Sequence, residues 1–276
     1  MSDLDVAFRA ASVGAEIARA HRDGSLRRFT KGGADFATDV DIAVEQAILE
    51  VIRTARPDDA VRGEELDGSG PRDAERTWLV DPLCGTMNYA AGLSIYSVTV
   101  AVVRGDDVVA AVVAAPSGLT RACAGDARSP GVRFLLTDGS TAWSCREGSS
   151  ELAEVKPSAS SRLVEVNLET SDPDGRGFSS SRFLRSCAFQ TLSPRFIGTG
   201  LPLAWVASGE YAGFVIPGKR EPSVHFTAGI GLCRAAGCVL SGLHGEPLHL
   251  ANEGIVAAAD ETTHELLLEG IAEQKL

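Results

Sequence analysis

The alternation of apolar and polar positions divides the chain into helical and β-type stretches. Residues 3–21 repeat apolar side chains at helical spacing and predict an amphipathic helix that ends near His21 to Gly24. A second helix follows "TDVD", with Val44, Ala47, Ile48, Val51 and Ile52 on one face and Arg56-Pro57 as its stop. "GEELDGSGPRD", residues 63–73, is polar and turn-rich and predicts a loop. A short β run, Thr77 to Val80, leads into "DPLCGT". The runs 97–103 and 108–114, joined by "RGDD", predict a hairpin. The stretch 116–160 is rich in Gly, Ser and Arg and weakly periodic, which predicts short strands and long loops. A strand at 162–168 opens the second half. Helices are predicted over 200–211 and 225–237, with a strand-like "CVL" after the latter. The last helix, in "ETTHELLLEGIAEQ", has Thr262 or Thr263 as its expected cap. Interleaved helices and hairpins predict a layered α/β (α+β) fold.

Composition narrows the class. The chain has 276 residues, enough for one large unit or two lobes, divided here at about residue 155 into 1–155 and 156–276. A net charge of −11 argues against nucleic-acid and anionic-membrane partners. No apolar run reaches membrane-span length, and the N-terminus lacks a signal-peptide pattern, so a cytoplasmic location is expected. The six cysteines form no CxxC pair, so most are expected to be free and buried. Cys84 is the exception, because it follows an aspartate at a strand end.

Four stretches carry candidate chemistry. "DFATDVD" places Asp35, Asp39 and Asp41 before a helix, where carboxylates also serve as caps. "GEE" offers Glu64 and Glu65, which as isolated loop acids would be merely solvated. "DPLCGT" offers Asp81, Cys84, Gly85 and Thr86. "VHFTAG" sets His225 at the front of a helix, where a lone histidine is more often structural.

Taken in order, K-x3-D, T-x-x-D, G-E-E, W-x-x-D-P-x-x-G-T and a late x-x-A-G helix resemble the inositol monophosphatase family. "RFIGTGLPLAWVASGEYAGF" (195–214) and "GIVAA…H" (254–264) extend the resemblance over nearly the whole chain. The resemblance implies a five-layer αβαβα sandwich, a homodimer, and a Mg²⁺-dependent phosphomonoesterase site for a small phosphorylated polyol or nucleotide. It implies Glu64, Asp81 and the Leu83 carbonyl as metal ligands, Thr86 and Asp41 as the pair orienting water, and the Gly85 and Thr86 amides as a phosphate cradle.

Two positions break the pattern. The family's acids at the places of Cys84 and His225 serve one cation that Asp81 bridges. Thiol and imidazole are poor Mg²⁺ ligands. The family's inositol-recognition acid also falls at Ile216, with the insertion "PGKREPS" after it, where Glu221 is a possible substitute. Arg195 and Thr199 are candidate substrate contacts, and Lys219 is a further basic residue. Whether Lys31 or His244 faces the site is left open by the sequence.

Three readings compete. In the first, Cys84 is a nucleophile, His225 its base, and Asp81 or Asp41 orients the imidazole, for acyl or thioester transfer or hydrolysis of a small molecule without a cofactor. In the second, Asp81, Cys84 and His225 hold Zn²⁺, or Glu64 and Asp81 hold a single Mg²⁺, and phosphate hydrolysis survives. In the third, the fold is a non-catalytic binder. The expectation adopted from the sequence is the first.

Overall fold

The computed structural model describes residues 1–275 apart from residues 23, 34, 72, 118–130, 169–177 and 219–222. The chain divides into two compact units. The first comprises Met1–Glu154, Thr199–Leu201 and Ser223–Leu232, and the second Val155–Gly198, Pro202–Pro222 and Cys233–Leu276.

The first unit opens with α1 (Asp3–Ala20), whose Ser2 and Asp5 form a capping box. A hairpin follows, β1 (Arg28–Gly32) and β2 (Asp35–Thr38). α2 (Asp39–Ala55) starts from a second capping box, Thr38 with Asp41, and buries Val40, Val44, Ile48, Leu49 and Ile52. Then come β3 (Ala60–Arg62), β4 (Thr77–Cys84), the short α3 (Thr86–Ala90), β5 (Ser97–Arg104), β6 (Asp107–Pro116), β7 (Val132–Thr137), β8 (Ala142–Arg146) and β9 (Ala153–Glu154). β3 to β9 form one seven-stranded sheet in sequence order, antiparallel except for β3 beside β4. The apolar faces of α1 and α2 pack against it, around Trp78, Val80, Val98, Val100 and Val112.

The second half of the chain adds β10 (Leu163–Val166), α4 (Ser180–Phe183), β11 (Ser193–Arg195), α5 (Leu201–Ala207), β12 (Gly213–Pro217), α6 (Thr227–Ala236), β13 (Val239–Ser241), β14 (Gly254–Ala258) and α7 (Glu261–Ala272). The five-stranded sheet has the order β11-β10-β12-β14-β13, with β10 parallel to both neighbours and β14 antiparallel to both of its own. Val164, Phe183, Val215, Val256 and Leu267 form its core.

The mixed α/β class agrees with the sequence pattern. The stretch 116–160 holds the short strands β7, β8 and β9, as its pattern predicts, while residues 118–130 lie outside the described residues. Two local features differ from the sequence reading. The hairpin at 28–38 was not anticipated, because β1 is mostly exposed and has no apolar face to read. Finally, α7 is capped by Asp260, which accepts from the Thr263 amide, rather than by Thr262 or Thr263. Among the described residues no helix is long and apolar enough to cross a membrane. The cysteines 84, 145, 187, 233 and 238 are free thiols, and Cys123 lies outside the described residues.

Candidate active site

The candidate chemistry gathers in the first unit around the ends of α2 and β4. Asp41, in the first turn of α2, is fully buried. One of its oxygens accepts from the Thr38 amide at 2.8 Å and from the Thr38 hydroxyl, which completes the cap. The other accepts from the Thr86 hydroxyl at 2.8 Å. Asp41 therefore caps its own helix and holds Thr86 at once. Burial pushes its carboxyl up, against the opposing hydrogen bonds from Thr38 and Thr86.

One turn further along α2 lies Glu45, also fully buried. Its carboxylate accepts from the amides of Glu64 (3.1 Å), Glu65 (2.8 Å) and Leu66 (3.0 Å). This single side chain fixes the loop that carries Glu64. The sequence reading missed it. The available signal was an acid one turn after Asp41, on a helix face otherwise lined by Val44, Ile48 and Ile52. Glu64 itself is gripped by Lys31 from the β1–β2 hairpin, whose Nζ lies 2.7 Å from Glu64 and 2.6 Å from Glu65. Burial lowers the Lys31 pKa, but the two glutamates more than reverse this. Burial and then the Asp81 charge push Glu64 up to about 8.

β4 delivers Asp81 and Cys84. Its pairing with β5 is regular to Asp81, opposite Thr99, and resumes at Cys84, opposite Ser97. One extra residue is thus bulged out around Pro82, which cannot donate to the ladder. Asp81 is fully buried. It accepts from the Leu83 amide at 3.2 Å and from His225 Nδ1–H at 2.8 Å. Gly85 then takes a left-handed φ of 97°, and a Cβ there would stand 3.0 Å from the Ile95 carbonyl. This turn brings the Thr86 hydroxyl to 3.0 Å from the Leu83 carbonyl.

Cys84 is buried. Its sulfur accepts from the Gly200 amide at 3.1 Å and from the Thr199 hydroxyl at 3.2 Å. Position 200 admits only glycine, since a Cβ would lie 2.5 Å from the His225 carbonyl and 3.4 Å from the sulfur. Burial, then the Asp81 charge, push the thiol up to about 11. His225 precedes α6 and has a side chain 42% exposed. Burial pulls its pKa down, but Asp81 and then Cys84 outweigh this and push it up to about 11. Its Nδ1 also lies 3.9 Å from Glu64. Asp81, Cys84 and His225 each offer a ligand atom within 4.8 Å of the others.

The sequence-predicted residues Asp41, Glu64, Asp81, Leu83, Cys84, Thr86 and His225 therefore converge, with Lys31 as a basic group on Glu64. Thr199 is buried, with its hydroxyl on Cys84. Arg195 and His244 belong to the second unit, bonded to the Pro194 carbonyl and the Glu253 carboxylate. Ile216 is buried on β12. Lys219 and Glu221 lie outside the described residues.

Comparison with known proteins adds four findings. The family model described as "Inositol monophosphatase family" matches residues 2–276. The inositol-1-monophosphatase ImpA of Mycolicibacterium smegmatis is 30% identical over 256 residues, covering 90% of this chain and 84% of that protein. An inositol-1-monophosphatase of Caulobacter vibrioides is 31% identical over 189 residues, 67% of each chain. Among solved structures, a Thermotoga maritima IMPase superposes with a TM-score of 0.76 at 20% identity, covering 100% of this chain and 98% of that one.

These findings overturn the first reading of the sequence. Relatives matched over most of their length are named as phosphatases, so acyl or thioester chemistry with a Cys84 nucleophile and a His225 base does not stand. The cofactor-free expectation falls with it, since the family relies on Mg²⁺.

Proposed function

The chain belongs to the inositol monophosphatase family, and from that premise we propose that it hydrolyses a small phosphomonoester, a phosphorylated polyol or nucleotide, with the help of a divalent cation. The observation that carries this reading is the Thr86–Asp41 hydrogen bond at 2.8 Å beside the Leu83 carbonyl. With its proton given to Asp41, the Thr86 oxygen is an acceptor, the role needed to orient an attacking water.

The donor set fits one hard cation. Glu64, Asp81 and the Leu83 carbonyl offer oxygen, which Mg²⁺ requires. The set does not fit a second Mg²⁺, because Cys84 and His225 replace oxygen by sulfur and nitrogen. When bound, a cation here polarises the phosphoryl group and acidifies a water.

The chain's own groups supply the rest. The water oxygen forms the new P–O bond as the ester P–O bond breaks, and the leaving ester oxygen takes up a proton from solvent water and departs as the alcohol. The water proton passes to Thr86 while the Thr86 proton moves to Asp41, its hydrogen-bond acceptor at 2.8 Å. Glu45 holds Glu64 in place through the loop amides.

The test is phosphate release by the purified chain from inositol phosphates, sugar phosphates and nucleoside monophosphates, with each divalent cation in turn. Release from at least one substrate, dependent on added cation, is expected. No release from any of them with any cation would overturn the reading.

A further inference from the structure

We propose that Asp81, Cys84 and His225 form a site for one thiophilic divalent cation of the zinc type, at the position where the family's acids would favour Mg²⁺. This deepens the phosphatase reading and rests on it for the cation's part in the reaction, though not for its binding.

Three observations carry it. The first is composition at close range. A carboxylate oxygen, a thiol sulfur and an imidazole nitrogen lie within 4.8 Å of one another. That is an ordinary zinc donor set, and three protein ligands leave a fourth position open, as catalytic zinc sites do. Sulfur disfavours Mg²⁺ and selects softer ions.

The second is the seat of the sulfur. The Gly200 amide at 3.1 Å and the Thr199 hydroxyl at 3.2 Å both donate to Sγ. Donors converging on sulfur stabilise a thiolate ligand in the way that outer groups tune metal sites. A Cβ at position 200 would collide with the His225 carbonyl, so this glycine holds the cysteine and histidine segments close together. The third is the imidazole. Asp81 holds the ring by its Nδ1 at 2.8 Å, so the imidazole is fixed beside both the carboxylate and the sulfur. The side chain is still 42% exposed, which leaves an entry path for an ion.

The experiment uses the full chain stripped of metal and titrated with Co²⁺, a spectroscopic substitute for Zn²⁺. One Co²⁺ per chain is expected, with a thiolate-to-cobalt charge-transfer band in the near ultraviolet and competition by Zn²⁺. The band should vanish in Cys84→Ser and persist in Cys145→Ser, which alters a buried thiol elsewhere. His225→Asn should weaken Co²⁺ binding by about tenfold or more. Circular dichroism confirms that each variant is folded. If Cys84→Ser does not fold, cadmium titration of the unmodified chain with ¹¹³Cd NMR reads sulfur ligation directly. Absence of a thiolate band, or of a sulfur-shifted cadmium signal, would overturn the proposal. So would a band unchanged in folded Cys84→Ser. Phosphate release from the same samples separates the two readings. A cobalt–thiolate band without phosphatase activity upholds this site and sinks the proposed function. Mg²⁺-driven phosphate release with no band does the reverse.

Discussion

The start of α2 and the end of β4 treat their buried polar groups in opposite ways. At the start of α2 every acceptor is oxygen, and the donors are close in sequence or joined by one loop. Thr38 caps Asp41, and the amides of residues 64–66 close on Glu45. At the end of β4 the acceptors are a carboxylate and a sulfur, and their donors, apart from the Leu83 amide on Asp81, come from more than 100 residues away, at Thr199, Gly200 and His225. The first region is built by local rules and keeps the family's oxygen chemistry. The second is assembled only by the tertiary fold, and it is there that the ligand chemistry differs. A site can thus change its metal preference on one flank while the flank that handles water is left intact.

The largest test of this contrast is Asp41→Asn. It should reduce phosphate release by about 10²- to 10⁴-fold, the usual contribution of a positioned acid–base group. The melting temperature gives a separate measure of the lost cap. A rate near that of the unmodified enzyme would mean that the oxygen flank does not handle the water.

Gly200→Ala probes the other flank. Its Cβ must displace the backbone at His225, so a loss of stability of about 1–3 kcal/mol is expected by denaturant titration. Cys84 should also become more reactive toward an alkylating probe, since its donors are disturbed. A variant as stable as its parent, with an equally protected thiol, would show that the seat is not rigid.

The smallest effect concerns Glu64 in the metal-free chain. Its folded pKa is raised from 4.5 to about 8. A raised folded pKa means a contribution to stability that is complete below the unfolded value and lost as pH climbs through the folded one. Stability relative to Glu64→Gln should therefore fall between pH 4.5 and 8. Parallel pH profiles of the two proteins would mean that Glu64 does not share an under-neutralised site with Asp81.

Much of this architecture was legible in the sequence. Helical spacing located α1 and α2, although α2 starts inside "TDVD" at Asp39 rather than after it, and the short turn at Gly105-Asp106 announced the β5–β6 hairpin. What escaped was structure without a periodic signature. β1 is exposed along most of its length, so it does not alternate. Glu45 escaped because its partners are backbone amides, which no side-chain motif records. Cys84 was found but misjudged. Beside a histidine it reads as a nucleophile by residue type, and residue type alone does not separate a nucleophile from a metal ligand.

The two donors on Cys84 bear on how such a site could have arisen. A backbone amide and a hydroxyl at about 3 Å serve a carboxylate oxygen as readily as a sulfur. The pocket around position 84 is therefore permissive about the element it holds. An exchange of oxygen for sulfur there would leave no buried donor stranded, so an intermediate with only one of the two replacements could still fold. Ligand identity could then drift one residue at a time, with the scaffold acting as a neutral bridge between two metal chemistries.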